Sequence, residues 1–125
     1  MNEPRDTADD ASRDLAICAA RAASDLKAVD VVVLDVGDIV AITGFFVVAS
    51  GTNPRQVRAI VEDVEAKVRA ESGRSPLRVE GVREQQWTLI DYGDVVVHVF
   101  LESVREFYEI ERLYLDAARI AWDED

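Results

Sequence analysis

Residues 87–101 read WTLIDYGDVVVHVFL, two apolar runs separated by Asp91-Tyr92-Gly93-Asp94. A glycine-bearing tight connection between β-branched runs predicts a hairpin. Strand side chains alternate, so Trp87, Leu89 and Asp91 share one face of the first strand, with Thr88 and Ile90 on the other. The second run, 95–101, is apolar at nearly every position, which predicts a central strand covered on both sides. The only histidine of the chain, His98, lies in its middle.

The remaining pattern places elements around this hairpin. Residues 1–9 are polar with an early proline and no periodicity, and read as a disordered leader. From 10 to 28, Leu15, Cys18, Ala19, Ala22 and Leu26 recur at helical spacing, so an amphipathic helix of small residues is expected. The valine-dominated run 31–36 and the apolar run 45–50 predict buried strands. Residues 39–42 between them are ambiguous. At Asn53-Pro54 the chain carries an N-cap followed by a residue suited to the first helical turn, with Gln56 at the capping-box position. The helix that follows holds Val57, Ile60, Val61, Val64 and Val68 on one stripe and ends at Ser72-Gly73. A short strand over 77–80 leads through Gly81 into the hairpin. Ser103 and Glu106 then suggest a capping box for a last helix. Leu113, Tyr114, Ile120 and Trp122 either extend that helix or fold back as a short second piece. Helix, strand, strand, helix, three strands and helix make a single α/β domain with a mixed five-stranded sheet flanked by helices. The end, Asp123-Glu124-Asp125, is an acidic tail.

Charge narrows the function classes. Asp and Glu number 25 against 14 Lys and Arg, for a net charge of −11. Such a surface repels phosphate backbones, so direct nucleic-acid binding is not expected, and a basic protein is the natural electrostatic complement. Cys18 stands alone, which rules out a disulfide framework or a cysteine-rich zinc site, and its place on an apolar stripe predicts an inert thiol. No apolar run reaches the roughly twenty residues of a membrane span. The polar start offers no signal peptide, and a cytoplasmic location is expected.

Catalytic constellations are weak. Ser50-Gly51-Thr52 before a helix invites a phosphate, but the chain lacks GxxxxGK[ST] and GxGxxG, and Pro54 removes a donor amide. Asp35 and Asp38 have no partner carboxylate at a spacing that supports a magnesium site. His98 with Asp91 or Asp94 suggests an acid–base pair, yet neither Ser50 nor Ser103 sits in a G-x-S-x-G elbow. No metal or cofactor is expected. The stronger signal is aromatic. Trp87 opens an antiparallel strand and Tyr92 tops a turn, so both are candidates for exposed anchors at a protein interface. Trp87 covering the sheet as part of the core is the alternative that the residues alone leave open.

Taken together these segments resemble the ribosome silencing factor family, also called the Iojap family. The likeness rests on the stretches 31–36 and 42–52, on Arg55-Gln56-Val57, on Val79-Glu80-Gly81, on 87–100, and on Arg105-Glu106-Phe107-Tyr108 through Leu113. It covers about residues 10–115, which sets the expected bounds of the domain, with 116–125 as an acidic extension. The Trp, Asp-Tyr-Gly-Asp and Val-His segment joined to Arg-x-x-Tyr is the specific part.

The resemblance implies a fold similar to the nucleotidyltransferase core, no enzymatic activity, and often a homodimer. It further implies binding to the large ribosomal subunit through large-subunit protein fourteen. That binding would sterically block the small subunit and repress translation when nutrients are scarce; organellar relatives act in large-subunit assembly. A residual nucleotide-binding or nucleotidyl-transferring enzyme is the alternative. Carried over by position, the protein-binding surface comprises Trp87, Leu89, Asp91 and Tyr92, with Glu80, His98, Arg105 and Tyr108 nearby. Two positions depart from the family pattern: Gly44 where an Asp usually follows the Thr, and Tyr114 where the last helix commonly ends in Trp.

Overall fold

A computed structural model describes residues 4–37, 43–110, 112 and 115–123. Two long helices, α1 (Pro4–Asp25) and α2 (Pro54–Ser72), pack together against a sheet formed by β1 (Val29–Asp35), β2 (Phe45–Gly51), β3 (Arg78–Glu80), β4 (Trp87–Asp91), β5 (Val95–Leu101) and β6 (Ala118–Arg119). The short helix α3 (Glu102–Tyr108) follows β5 directly. The sheet order is β3-β4-β5-β2-β1-β6. Its central pair, β2 and β5, is parallel, while every other pairing is antiparallel. The parallel pair follows from α2 carrying the chain back across the sheet, as a crossover must.

The sheet therefore has six strands rather than the five expected. β6 is only two residues long, exposed, and without apolar alternation, so nothing in its composition announces a strand. It is held by pairing with β1 and by the residues that follow it. Leu34 and Asp35 of β1 pair with Arg119 and Ala118. Just beyond, the Trp122 indole Nε1 donates to Val31 O at 3.0 Å and Arg21 Nε donates to Trp122 O at 2.9 Å. Of the two expectations for the end of the chain, residues 118–122 take the fold-back.

Two further corrections concern helix ends. α1 begins at Pro4, so residues 4–9, expected in a disordered leader, belong to the helix. Proline suits a first turn because its missing amide has no acceptor there anyway. α3 is capped by Leu101 with no side-chain hydrogen bond, so the Ser103–Glu106 capping box does not form. Leu101 is both the last residue of β5 and the cap, and Ser103 already lies inside the helix. At α2 the expected cap is present: Asn53 Oδ1 accepts from Gln56 N at 2.8 Å. Gln56 does not close a box. Its Oε1 accepts from Thr52 N at 2.7 Å, and its Nε2 donates to Leu26 O and Lys27 O, tying the start of α2 to the end of α1. The segment 38–42, with its ambiguous run, lies outside the described residues.

The two faces of the sheet differ. On one, Ala16, Ala19, Ala20 and Ala23 of α1 and the Val57, Ile60, Val61, Val64, Val68 stripe of α2 bury Val33, Val47, Val97 and Ile90. Small residues on α1 let it lie close to β2. On the other face Leu34, Phe46, Val48 and Phe100 form a second cluster with Ile110, covered only in part by Val104 of α3 and by Ala117. The hairpin tip locks the first layer. Asp94 accepts from Ser12 of α1 at 2.5 Å and from both Nη atoms of Arg74 at 3.0 and 2.7 Å, and its carbonyl accepts from Gly44 N.

Candidate functional site

The sheet face without long helices gathers most of the residues expected at a contact surface. Register sets them in rows. Glu80 pairs with Leu89, Leu89 with His98, and His98 with Val48, so all four point to the same side. One row along, Trp87 pairs with Phe100; on the other side Arg78, Asp91 and Val96 line up. Trp87 and Leu89 are half-buried, neither sealed in the core nor fully exposed.

Trp87 is oriented by its neighbours. Its ring stacks on Phe100 with centroids 4.8 Å apart and planes 28° apart. Its Nε1 donates to His98 Nδ1 at 3.1 Å. Behind it the β3–β4 connection is held close by Gly81: at φ +82°, a Cβ there would lie 2.1 Å from Trp87 O. Only glycine fits that approach, because both the backbone conformation and the space exclude a side chain. His98 in turn meets Phe46 edge-to-face at 4.7 Å. Burial pushes the His98 pKa down to about 4, so the imidazole is neutral at physiological pH.

The acidic members rim this patch. Asp91 Oδ1 accepts from Gly93 N at 2.7 Å, closing the hairpin turn, and its Oδ2 receives Arg78 Nε at 3.2 Å. Arg78 also reaches Glu80 at 3.2 Å, so one cation bridges the two carboxylates.

Two expected members lie elsewhere. Tyr92 is only 1% exposed and belongs to the helix-covered core, with the Arg74 guanidinium 6.0 Å from its ring. Burial, with Glu65 and Cys18 nearby, pushes its hydroxyl up to about 12. The expectation of an exposed ring at the turn is therefore corrected: β4 ends at Asp91, and the turn rotates Tyr92 under the helices. Arg105 is buried on α3, where Nη1 donates to Ser50 Oγ at 2.8 Å and Val29 O at 3.2 Å. It fastens α3 to the sheet and does not face outward. The side chain of Tyr108, like Tyr114 as a whole, lies outside the described residues.

Sequence reasoning missed the neighbours that complete the patch: Phe46, Val96 and Phe100. The signal was available. Alternation along 95–101 places Val96 and Phe100 on the face of His98. As for chemistry, no group of three or more His, Cys, Asp or Glu side chains among the described residues is placed to hold a metal ion. Cys18 lines a cleft between α1 and α2, where burial and Glu71 push its thiol up to about 11, far from a nucleophile. No helix among the described residues is long and apolar enough to cross a membrane.

Comparison with known proteins bears on what this face meets. The family described as "Ribosomal silencing factor during starvation" matches residues 9–125. The Ribosomal silencing factor RsfS of Halalkalibacterium halodurans is 39% identical over 109 residues, covering 87% of this chain and 92% of that protein. The chloroplastic protein Iojap of Zea mays is 38% identical over 94% of this chain, which spans 52% of that longer protein. Mouse mitochondrial assembly of ribosomal large subunit protein 1 is 33% identical over 68% of the chain and 38% of its own length. A crystal structure from Chromobacterium violaceum has a TM-score of 0.78 at 33% identity, covering 90% of this chain and 92% of that one. With most of its length matched by sequence, family model and fold alike, the chain belongs to the ribosomal silencing factor family.

Proposed function

We propose that this protein binds the large ribosomal subunit through the face built on Trp87 and Leu89, and that its bulk there keeps the small subunit from joining. The observation that carries this reading is the strip of half-buried apolar side chains on a sheet face that no long helix covers, in a chain of this family. Trp87 is a large, pre-stacked anchor, and Leu89 extends the apolar area beside it. Glu80 and Asp91 at the rim, and a net charge of −11, suit a basic ribosomal protein. Large-subunit protein fourteen, the partner expected from the resemblance, is the one we propose. Steric exclusion needs no chemistry, and in this reading the mixed sheet is a nucleotidyltransferase-like core used as a docking platform. The protein acts in the cytoplasm with the ribosomes, as a homodimer when not bound to them, with 10–115 carrying the contact and 116–125 as its C-terminal extension. Arg105 acts at one remove, by holding α3, and Tyr92 by holding the hairpin tip.

The test is co-sedimentation of the purified protein with isolated large subunits, followed by addition of small subunits. Wild-type protein is expected to bind and to reduce the joined fraction. Trp87→Ala, still folded, is expected to lose about 2 kcal/mol or more of binding free energy. Unchanged affinity in a folded Trp87→Ala variant would discard this face. Absence of wild-type binding would discard the ribosome.

A further inference from the structure

His98 is an unusual residue for its position. It occupies the middle of a central strand, 5% exposed, in a row with Val48 and Leu89, where an aliphatic side chain would meet the same neighbours without desolvating two ring nitrogens. One of those nitrogens has a clear use: Nδ1 accepts the Trp87 indole N–H at 3.1 Å. Accepting at Nδ1 fixes the neutral tautomer with its proton on Nε2, a nitrogen with no hydrogen-bond partner among the described residues. A buried polar group serving a single neighbour in an apolar row contributes little to stability, so what it does for that neighbour is the natural place to look for its role.

The contribution to Trp87 is directional. Stacking on Phe100 at 4.8 Å sets the plane of the indole but not which edge of it faces outward, because a stack tolerates rotation within its plane. A hydrogen bond from Nε1 to a fixed acceptor removes that freedom. We propose that His98 is a positioning residue for docking: its Nδ1 holds the Trp87 indole in the one orientation that the partner meets. The inference rests on the docking role of Trp87 proposed above and extends it from the anchor to the residue that aims it. An anchor ordered before contact spares association the cost of ordering it.

The experiment combines NMR of the full chain labelled with nitrogen-15 and binding to isolated large subunits, for the wild type, His98→Leu, His98→Asn and Trp87→Ala. In the wild type, a coupling across the hydrogen bond between Trp87 Nε1 and His98 Nδ1, with the proton of His98 on Nε2, is expected. Trp122, whose indole bonds Val31 O, serves as the internal control. His98→Leu is expected to melt no lower than the wild type, to shift the Trp87 indole resonance while leaving that of Trp122 in place, and to bind about 3- to 10-fold more weakly, the worth of one hydrogen bond. His98→Asn, which puts an oxygen acceptor near the position of Nδ1, is expected to recover part of both losses.

A wild-type histidine carrying its proton on Nδ1 would overturn the inference, whether or not any variant folds. So would a His98→Leu variant whose binding loss is accompanied by a comparable loss of melting temperature, since that is the mark of a merely structural residue. If His98→Leu binds as the wild type does while Trp87→Ala does not, the positioning role fails and the docking face stands. If neither substitution alters binding, the docking face fails and the positioning role with it.

Discussion

The two faces of the sheet are made from alternate residues of the same strands, yet they are covered differently. In β5, Val95, Val97 and Val99 turn toward α1 and α2 and are fully buried; Val96, His98 and Phe100 turn the other way, toward a face that leaves Val96, Trp87 and Leu89 half-buried. In sequence the two sets differ only at His98, since the other five residues are all apolar. The difference is imposed by helices distant in the chain. One face received two long helices and became the larger core, while the other is covered, among the described residues, by the short helix α3 with Ile110 and Ala117. Apolar area on that second face is stabilised by what little covers it, and is available to a partner for the same reason.

That contrast can be broken most directly at Tyr92, which the turn places on the core side. Tyr92→Ala is expected to cost about 3–5 kcal/mol of folding stability in urea denaturation, the range for deleting a fully buried aromatic. A loss under about 1 kcal/mol would mean the ring is not the core element described here.

Acid separates the faces next. His98 is held at about 4 in the folded chain against an ordinary 6.5, because burial disfavours its charged form. Above pH 6.5 both folded and unfolded states carry it neutral, and its contribution is complete. As pH falls below 6.5 the unfolded chain takes up a proton that the folded chain resists, so stability declines until about pH 4, by roughly 3 kcal/mol at most. Asp94 acts in the same direction. Burial alone would raise its pKa, but hydrogen bonds from Arg74 and Ser12 and the Arg74 charge hold it below the ordinary carboxylate value, so its stabilisation is lost on acidification through that lowered value. The two are separable: in His98→Leu the decline between pH 6.5 and 4 should shrink, leaving the part due to carboxylates. An unchanged slope would show that His98 is not buried neutral.

On the open face, Leu89→Ala is expected to weaken large-subunit binding by about 1–2 kcal/mol while lowering stability by less than an equivalent deletion such as Ile60→Ala in α2. Equal stability losses at the two positions would erase the distinction between the faces. The smallest effect belongs to Asn53→Ala, which removes the cap of α2 and should cost about 1 kcal/mol of stability with binding unchanged. Any change in affinity there would mean that α2 communicates with the far side of the sheet.

Much of this was legible from residue pattern alone. The hairpin 87–101 and the central place of β5 follow from apolar runs around Gly93. The start of α2 follows from Asn53-Pro54, and its buried stripe from valines at helical spacing. The rows of the candidate face, Glu80 with Leu89 and Leu89 with His98, follow once the hairpin register is known. What escaped has physical causes. β6 exists because β1 offers a free edge and Trp122 pins the chain there, neither of which is local. The burial of Tyr92 depends on how a four-residue turn rotates, and a tyrosine beside glycine gives no sign of it. Arg105 looks like a surface cation in sequence, and only the closeness of Ser50 and Val29 O, contributed by β2 and β1, makes it an internal brace.

The parallel pairing at the centre of the sheet also governs when the protein can fold. β2 is buried at all seven positions, and one of its two neighbours, β5, begins only at Val95. The lock between Ser12 and Asp94 is likewise closed late in the chain. During synthesis the most apolar strand is therefore exposed well before its partner exists, and pairings so far apart in sequence form slowly. Released chains truncated before residue 95 should accordingly stay protease-sensitive, and the full chain should not. For this chain an interrupted message yields no half-domain, only an unpaired apolar strand with an open edge, the kind of fragment that aggregates or is destroyed.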